Sequence, residues 1–188
     1  MPNEPLTRTD LIVVLHELAD ALDAAGIEAQ LYIVGGAAMV LGYSARDVTR
    51  DVDAQYYPKN AINNVAAAIA RRHHLPNDWL NDNAAMFISP VKDDEKRRLF
   101  LSKGSVTIQT ASAEALLAMK IRASRPRMDN FDIAFLCEHL EITSIVQAVD
   151  LYETYYPEDR LPKYALTILR AILKLGSIDI HVDKLALS

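Results

Sequence analysis

A short apolar run that ends at two glycines most constrains how this chain folds. Residues 31–34 combine β-branched, aromatic and aliphatic side chains, which is typical of a buried strand, and the run stops at Gly35 and Gly36. Residues 37–41 then have the composition of a short helix, closed by Gly42. The sequence therefore predicts a strand, a glycine turn and a helix in direct succession.

The remaining periodicities predict a mixed α/β protein. Strands are expected at residues 52–57, 86–89, 99–102 and 106–110, of which the last two form a hairpin, and helices at 11–22, 60–72, 112–124, 129–140, 143–155 and 163–175. We therefore predict an α/β (α+β) fold, with a small mixed sheet flanked by helices and a helical C-terminal part. We place a boundary near residue 110, so that residues 1–110 form the α/β core and residues 111–188 a helical part that shares this core.

Charge and cysteine content exclude several classes of protein. The chain has 20 Lys and Arg against 25 Asp and Glu, a net charge of -5, so any contact with nucleic acid requires a local basic patch. Cys137 is the single cysteine and cannot form an internal disulfide. The apolar run at residues 11–15 is cut by His16 and Glu17, and is too short for a signal peptide or a membrane span. We expect a cytoplasmic protein that does not contact a membrane.

Two aspartates in one predicted strand are candidate metal ligands. Asp51 and Asp53 flank Val52, and alternation along a strand places both carboxylates on one face, about 7 Å apart at their roots. Mg²⁺ prefers oxygen ligands and is usually bound by one or two carboxylates, with water and phosphate oxygens completing its shell. The alternative is that two solvated acids simply lie at a strand edge.

The glycine pair and the aspartate pair together indicate more than either pair does alone. Glycines before a helix let backbone N–H groups approach a phosphate, although a plain strand-to-helix turn has the same pattern. The aspartates follow Gly36 by fifteen positions, on what could be the neighbouring strand. Arg46 or Arg50 in the connecting loop could neutralise phosphate charge. The combination is typical of proteins that bind a magnesium–nucleotide.

These residues resemble the signature of the nucleotidyltransferase fold, the polymerase-beta-like proteins, in which a glycine motif precedes paired aspartates that hold magnesium. The stretches that carry the resemblance are Val34-Gly35-Gly36-Ala37-Ala38 and Arg46-x-x-Thr49-x-Asp51-Val52-Asp53. Their style is similar to the AbiEii-type and MenT-type toxin nucleotidyltransferases of bacteria and to a related uncharacterised bacterial group. Further similarity lies at residues 75–82, 116–120, 125–133 and 155–157, so the resemblance spans about residues 30–160.

The resemblance implies an Mg²⁺-dependent enzyme that transfers a nucleoside monophosphate from an NTP to an acceptor. The acceptor would be an RNA, such as a tRNA 3′ end, or a protein, and the enzyme would be a toxin held in check by an antitoxin protein. Asp51 and Asp53 would bind the metal. The residues that would bind the nucleotide are Gly35, Gly36, Arg46 and Thr49.

Lys120 is unusual because it falls in the apolar stripe of its predicted helix. At 100° per residue it lies among Leu116, Leu117 and Ile121, where an unpaired charge is costly. Its ammonium could reach solvent along a buried stem, or it could contact a nucleotide phosphate or an active-site carboxylate. The resemblance favours the latter.

Asp132 is the candidate for that carboxylate. It is three residues from Asp129, so the two are neighbours on a helix. The alternative is that Asp129 is an N-cap and that Asp132 only complements the helix dipole. We predict Asp51, Asp53, Lys120 and Asp132 as the catalytic residues.

Other functions stay open. Strand 106–110 carries no carboxylate, so the chain could be a degenerate member of the fold that binds a nucleotide or a partner without turnover. The Asp-x-Asp motif also occurs as the metal site of glycosyltransferases. The charged segment 92–98 reads as a solvated loop, and a local basic patch for RNA could be formed by Arg71, Arg72, Lys96, Arg97, Arg98, Arg122, Arg125 and Arg127.

Overall fold

The computed structural model describes residues 4–91, 93–125 and 129–173. These residues form two compact units. The first contains the described residues up to Met86 together with Asp94–Ala111, and the second contains Phe87–Asp93 and the described residues from Ser112 onward. Within the described ranges, every helix is too short or too polar to cross a bilayer.

The first unit is an α/β structure. Its helices are α1 (Arg8–Ala24), α2 (Gly35–Tyr43) and α3 (Lys59–His73). Its strands are β1 (Leu6–Thr7), β2 (Ala29–Ile33), β3 (Val48–Thr49), β4 (Val52–Tyr57), β5 (Leu80–Asn81), β6 (Arg98–Lys103) and β7 (Val106–Thr110).

Five of these strands form one mixed sheet in the order β5-β4-β2-β7-β6. β2 is antiparallel to β4 and parallel to β7, whereas β4 and β5 are parallel. β6 and β7 form the expected antiparallel hairpin. The predicted mixed sheet with flanking helices is therefore confirmed, and β1 and β3 add a separate two-stranded pair.

Two local predictions for the first part of the chain need correction. Gly42 does not end α2 but lies within it, and the helix is closed by Ser44 in the left-handed conformation. A Cβ at Gly42 would lie 3.2 Å from Thr110 Oγ1, so this glycine serves close packing of the helix on β7. The predicted strand 86–89 is wrong, because Asn83–Phe87 forms a 3₁₀ helix without buried residues. A segment without buried residues has no apolar face to place in a sheet.

The second unit is helical, which confirms the prediction for the C-terminal part. It contains α4 (Ala113–Ala123), α5 (Asn130–His139), α6 (Ile145–Tyr155) and α7 (Ala165–Ile172). The last two residues of the predicted helix 163–175 lie outside the described residues. Cys137 is buried on α5.

Asp93 corrects the expectation of a wholly solvated loop at residues 92–98. Its carboxylate is buried and accepts hydrogen bonds from the Ser112 backbone N–H at 2.8 Å and from Ser112 Oγ at 2.6 Å. Tyr155 Oη donates to the same carboxylate at 3.3 Å. Ser112 in turn caps α4. Because the N-terminus of a helix carries partial positive charge, a carboxylate there stabilises α4.

Candidate active site

The predicted glycine turn and the predicted aspartate pair lie on neighbouring strands. Ile33 at the end of β2 is opposite Ala54 of β4, and the Val34 N–H donates to the Asp53 carbonyl oxygen at 2.9 Å. The chain therefore passes from β2 into Gly35 directly beside Asp53. The expected proximity of these two elements is confirmed.

Gly35 lies directly against the side chain of Asp53. Its φ is +62°, a left-handed conformation that side-chain-bearing residues rarely adopt. A Cβ at this position would lie 3.1 Å from Asp53 Oδ2, so the missing side chain leaves room for the carboxylate. Gly35 is also the first residue of α2, whose free N–H groups and dipole attract anions.

Gly36 faces the loop between α2 and β4. A Cβ there would lie 2.6 Å from Thr49 Oγ1 and 3.9 Å from a terminal nitrogen of Arg46. Thr49 is buried, and its hydroxyl donates to the Asp51 carbonyl oxygen at 3.2 Å. The four residues predicted to bind nucleotide thus lie around the start of α2, with a hydroxyl and a guanidinium beside the second glycine.

The alternation predicted for the aspartate strand is also observed. Val52 and Ala54 are buried in the core, whereas Asp51 and Asp53 on the other face are partly exposed. The two carboxylates are therefore accessible from the face of the sheet that does not pack on the core. Such a position allows a ligand to reach both.

Asn81 is a neighbour of this pair that the sequence analysis did not single out. It lies on β5, in register with Asp53, and its Nδ2 donates to Asp51 Oδ2 at 3.2 Å. A strand of two residues such as β5 leaves no periodic pattern in the sequence. The available signal was Trp79, which is fully buried and donates from Nε1 to the Ala66 carbonyl, anchoring the chain just before β5.

The donor set fits a magnesium ion held by two carboxylates. Asp51 and Asp53 offer the hard oxygen ligands that Mg²⁺ prefers, and the Asp53 carboxylate lies against Gly35 at the start of α2. Over the described ranges, no group of three His, Cys, Asp or Glu residues is placed to hold a metal. A two-carboxylate site therefore leaves most of the metal's shell to water and phosphate oxygens.

Lys120 lies in the second unit and points inward, as its helical position predicted. It is 7% exposed, and its Nζ lies 2.9 Å from Asp129 Oδ1 and 2.8 Å from Asp132 Oδ2. Both carboxylates are fully buried. The alternative in which the ammonium reaches solvent is therefore wrong, and Lys120 contacts the carboxylate that the sequence analysis had selected.

Asp129 accepts several hydrogen bonds from Arg125 in addition to its contact with Lys120. Arg125 donates to it from Nε at 3.0 Å, from Nη2 at 3.0 Å and from its backbone N–H at 3.1 Å. Burial alone would raise the pKa of Asp129, but the Arg125 and Lys120 hydrogen bonds and charges outweigh it and lower the pKa. Asp129 occupies the N-cap position of α5, yet its side chain makes no capping hydrogen bond.

The side chains of the predicted basic patch mostly bind acceptors within their own unit. Arg72 pairs with Glu17, and Arg97 donates to Gln109 at 3.2 Å. Arg122 pairs with Asp159 at 2.8 Å. Arg127 lies outside the described residues. The RNA patch therefore stays a prediction.

Comparison with known proteins identifies the family. The model of a family described as "Nucleotidyltransferase of unknown function (DUF6036)" matches residues 10–160. This range includes the glycines and aspartates of the candidate site and also Lys120, Asp129 and Asp132. Neither the curated proteins nor the solved structures gave a match. Since the family model covers most of the chain, the protein belongs to this nucleotidyltransferase family.

Proposed function

We propose that the protein transfers a nucleoside monophosphate from an NTP to a hydroxyl group, with Asp51 and Asp53 holding Mg²⁺. The observation that carries the proposal is the apposition of Gly35 and Asp53. A substituent of one carbon on Gly35 would lie 3.1 Å from the Asp53 carboxylate, so a phosphate at the start of α2 would lie next to a metal held by the aspartates. The family supports the reaction class.

In this reaction the acceptor oxygen forms a bond to the α-phosphorus and the bond to the β-phosphate oxygen breaks. Pyrophosphate leaves, and the hydroxyl proton is released to water. Bound Mg²⁺ would supply neutralisation of the triphosphate charge. The N–H groups at the start of α2 would bind phosphate oxygens, and Arg46 would stabilise charge that develops on the leaving pyrophosphate. Thr49 would hold the Asp51 backbone in place through its hydroxyl.

The direct test is transfer of labelled NTP to total RNA in the presence of Mg²⁺. We expect label on RNA with the native protein and a loss of at least a hundredfold in Asp53→Asn. Asp47→Asn is the matched control, because Asp47 lies exposed in the preceding loop and its change removes the same charge. Equal labelling by the native protein and Asp53→Asn would contradict the proposed site. Transfer to added protein instead of RNA would retain the reaction and change the acceptor.

Lys120 and Asp132 carry a separate proposal, in which they orient the nucleotide or activate the acceptor. Support comes from the resemblance and from the cost of burying three charged groups, which a packing role alone does not require. Asp132→Asn and Asp129→Asn each remove one carboxylate that binds Lys120. A catalytic role predicts a larger kcat loss for Asp132→Asn at comparable stability. Equal losses would indicate a structural role for both.

The toxin role and the antitoxin partner rest on the resemblance alone. They predict that induced expression of the native chain arrests bacterial growth and that Asp53→Asn does not. Arrest by both forms would argue against toxicity through nucleotide transfer.

A binding protein without turnover is the second candidate. The observation that favours it is that, among the described residues, no third His, Cys, Asp or Glu joins Asp51 and Asp53 in a group that could hold a metal. Thermal stability with each NTP, with and without Mg²⁺, distinguishes the two functions when pyrophosphate release is followed in parallel. Stabilisation that needs Mg²⁺ but releases no pyrophosphate over hours would support binding alone.

A further inference from the structure

Asn81 connects the edge strand of the sheet to the aspartate pair. It lies on β5, parallel to β4 and in register with Asp53, and it is 8% exposed. A buried amide has to satisfy its polar atoms, and each partner of Asn81 is defined. The hydrogen bonds of Asn81 therefore indicate the role of its side chain.

The orientation of the amide is fixed by the backbone. The Asn83 N–H donates to Asn81 Oδ1 at 2.9 Å, and only the oxygen of an amide can accept this hydrogen bond. Nδ2 must then face the other way, where it donates to Asp51 Oδ2 and to the Asp78 carbonyl oxygen, both at 3.2 Å. Both N–H groups are thus used, one of them on the predicted metal ligand.

We infer that Asn81 is a positioning residue that holds the Asp51 carboxylate in its metal-binding orientation. A hydrogen bond to one carboxylate oxygen restricts rotation of the group and leaves the other oxygen to face the metal. Asp51 directly precedes β4, and the Thr49 hydroxyl bonds its backbone carbonyl, so Asn81 is the residue that contacts its side chain in the hydrogen bonds described above. The inference rests on the proposed function, since it assumes that Asp51 binds a metal.

The test is the affinity of the NTP-free protein for Mn²⁺, which replaces Mg²⁺ and is visible by electron paramagnetic resonance. Asn81→Leu keeps the size of the side chain and removes its donors, and we expect it to weaken Mn²⁺ binding about tenfold or more. Asn81→Ser serves if the leucine variant does not fold. Asn77→Leu is the matched control, because Asn77 is exposed in the same segment and undergoes the same change without a change in charge. We expect its affinity to match that of the native protein.

The outcomes separate this inference from the proposed function. If Asp51→Asn abolishes Mn²⁺ binding while both Asn81 variants bind like the native protein, Asn81 is merely structural and the inference is overturned. If Asp51→Asn and Asp53→Asn bind Mn²⁺ like the native protein, the metal site itself is wrong. Weaker Mn²⁺ binding in folded Asn81 variants, together with lost Mn²⁺ binding in Asp51→Asn, supports both the role of Asn81 and the proposed metal site. The free energy of unfolding, measured in parallel, shows whether the segment has also lost stability.

Discussion

Replacement of Gly35 by alanine separates backbone strain from damage to the site. Two glycines have nearly the same left-handed backbone, Gly35 with φ +62° and Gly26 with φ +66°. A Cβ at Gly26 would meet nothing within 4 Å, whereas at Gly35 it would lie 3.1 Å from Asp53 Oδ2 and 3.6 Å from Asp53 Cβ. The two alanine variants therefore share the strain, and only one disturbs the aspartate.

The structure sets the size of each effect. An alanine in the left-handed region costs about 1–2 kcal/mol, so both variants should lose that much free energy of unfolding. Relief of the contact in Gly35→Ala requires the Asp53 carboxylate to move by a few tenths of an ångström. Since a 1 Å misplacement can cost about a hundredfold in rate, we expect a loss of about tenfold in kcat/KM for Gly35→Ala.

The assay compares urea unfolding, Mn²⁺ affinity and nucleotide transfer for the two variants and the native protein. We expect similar unfolding midpoints for Gly26→Ala and Gly35→Ala, and native activity and Mn²⁺ affinity for Gly26→Ala only. Native transfer activity in folded Gly35→Ala would refute the argument that the space beside Asp53 is needed. An equal activity loss in both variants would attribute the loss to strain.

The other predictions concern stability and reactivity in the second unit. Asp129→Asn removes a buried charge that binds Lys120, so we expect a loss of about 3–5 kcal/mol in urea unfolding at pH 7. The lowered pKa of Asp129 means that its stabilisation is present above its ordinary pKa of 3.8 and is lost as the pH falls toward the folded pKa. The difference in free energy of unfolding between the native protein and Asp129→Asn should therefore narrow below about pH 4. A difference that is the same at all pH values would show that the Asp129 charge is not the source of the stabilisation. Asp93→Asn weakens the hydrogen bonds to the start of α4 and should cost about 1.5–3 kcal/mol, whereas the exposed Glu95→Gln should cost less than about 0.5 kcal/mol. Burial raises the pKa of the Cys137 thiol to about 11, so its reaction with a disulfide reagent at pH 8 should be about a hundredfold slower in the folded protein than in urea; equal rates would show that the thiol is accessible.

Local patterns determined much of the fold. The strand at 52–57 was predictable because alternate residues are apolar and Pro58 cannot continue it, and its observed bounds are Val52–Tyr57. The inward position of Lys120 followed from helical geometry alone. Both features depend on spacing along the chain, which the sequence contains in full.

The sequence also determined the elements of the candidate site, through the two glycines after one strand and the two aspartates at the start of another. The tertiary structure decided what surrounds them. Asn81 reaches Asp51 only because the chain returns after α3 to form a two-residue strand beside β4, a pairing too short to leave a periodic signal. Likewise, Asp129 binds Lys120 and Arg125 instead of capping its own helix, because burial of the ammonium requires a nearby carboxylate. Such partners are set by long-range packing, which no local pattern specifies.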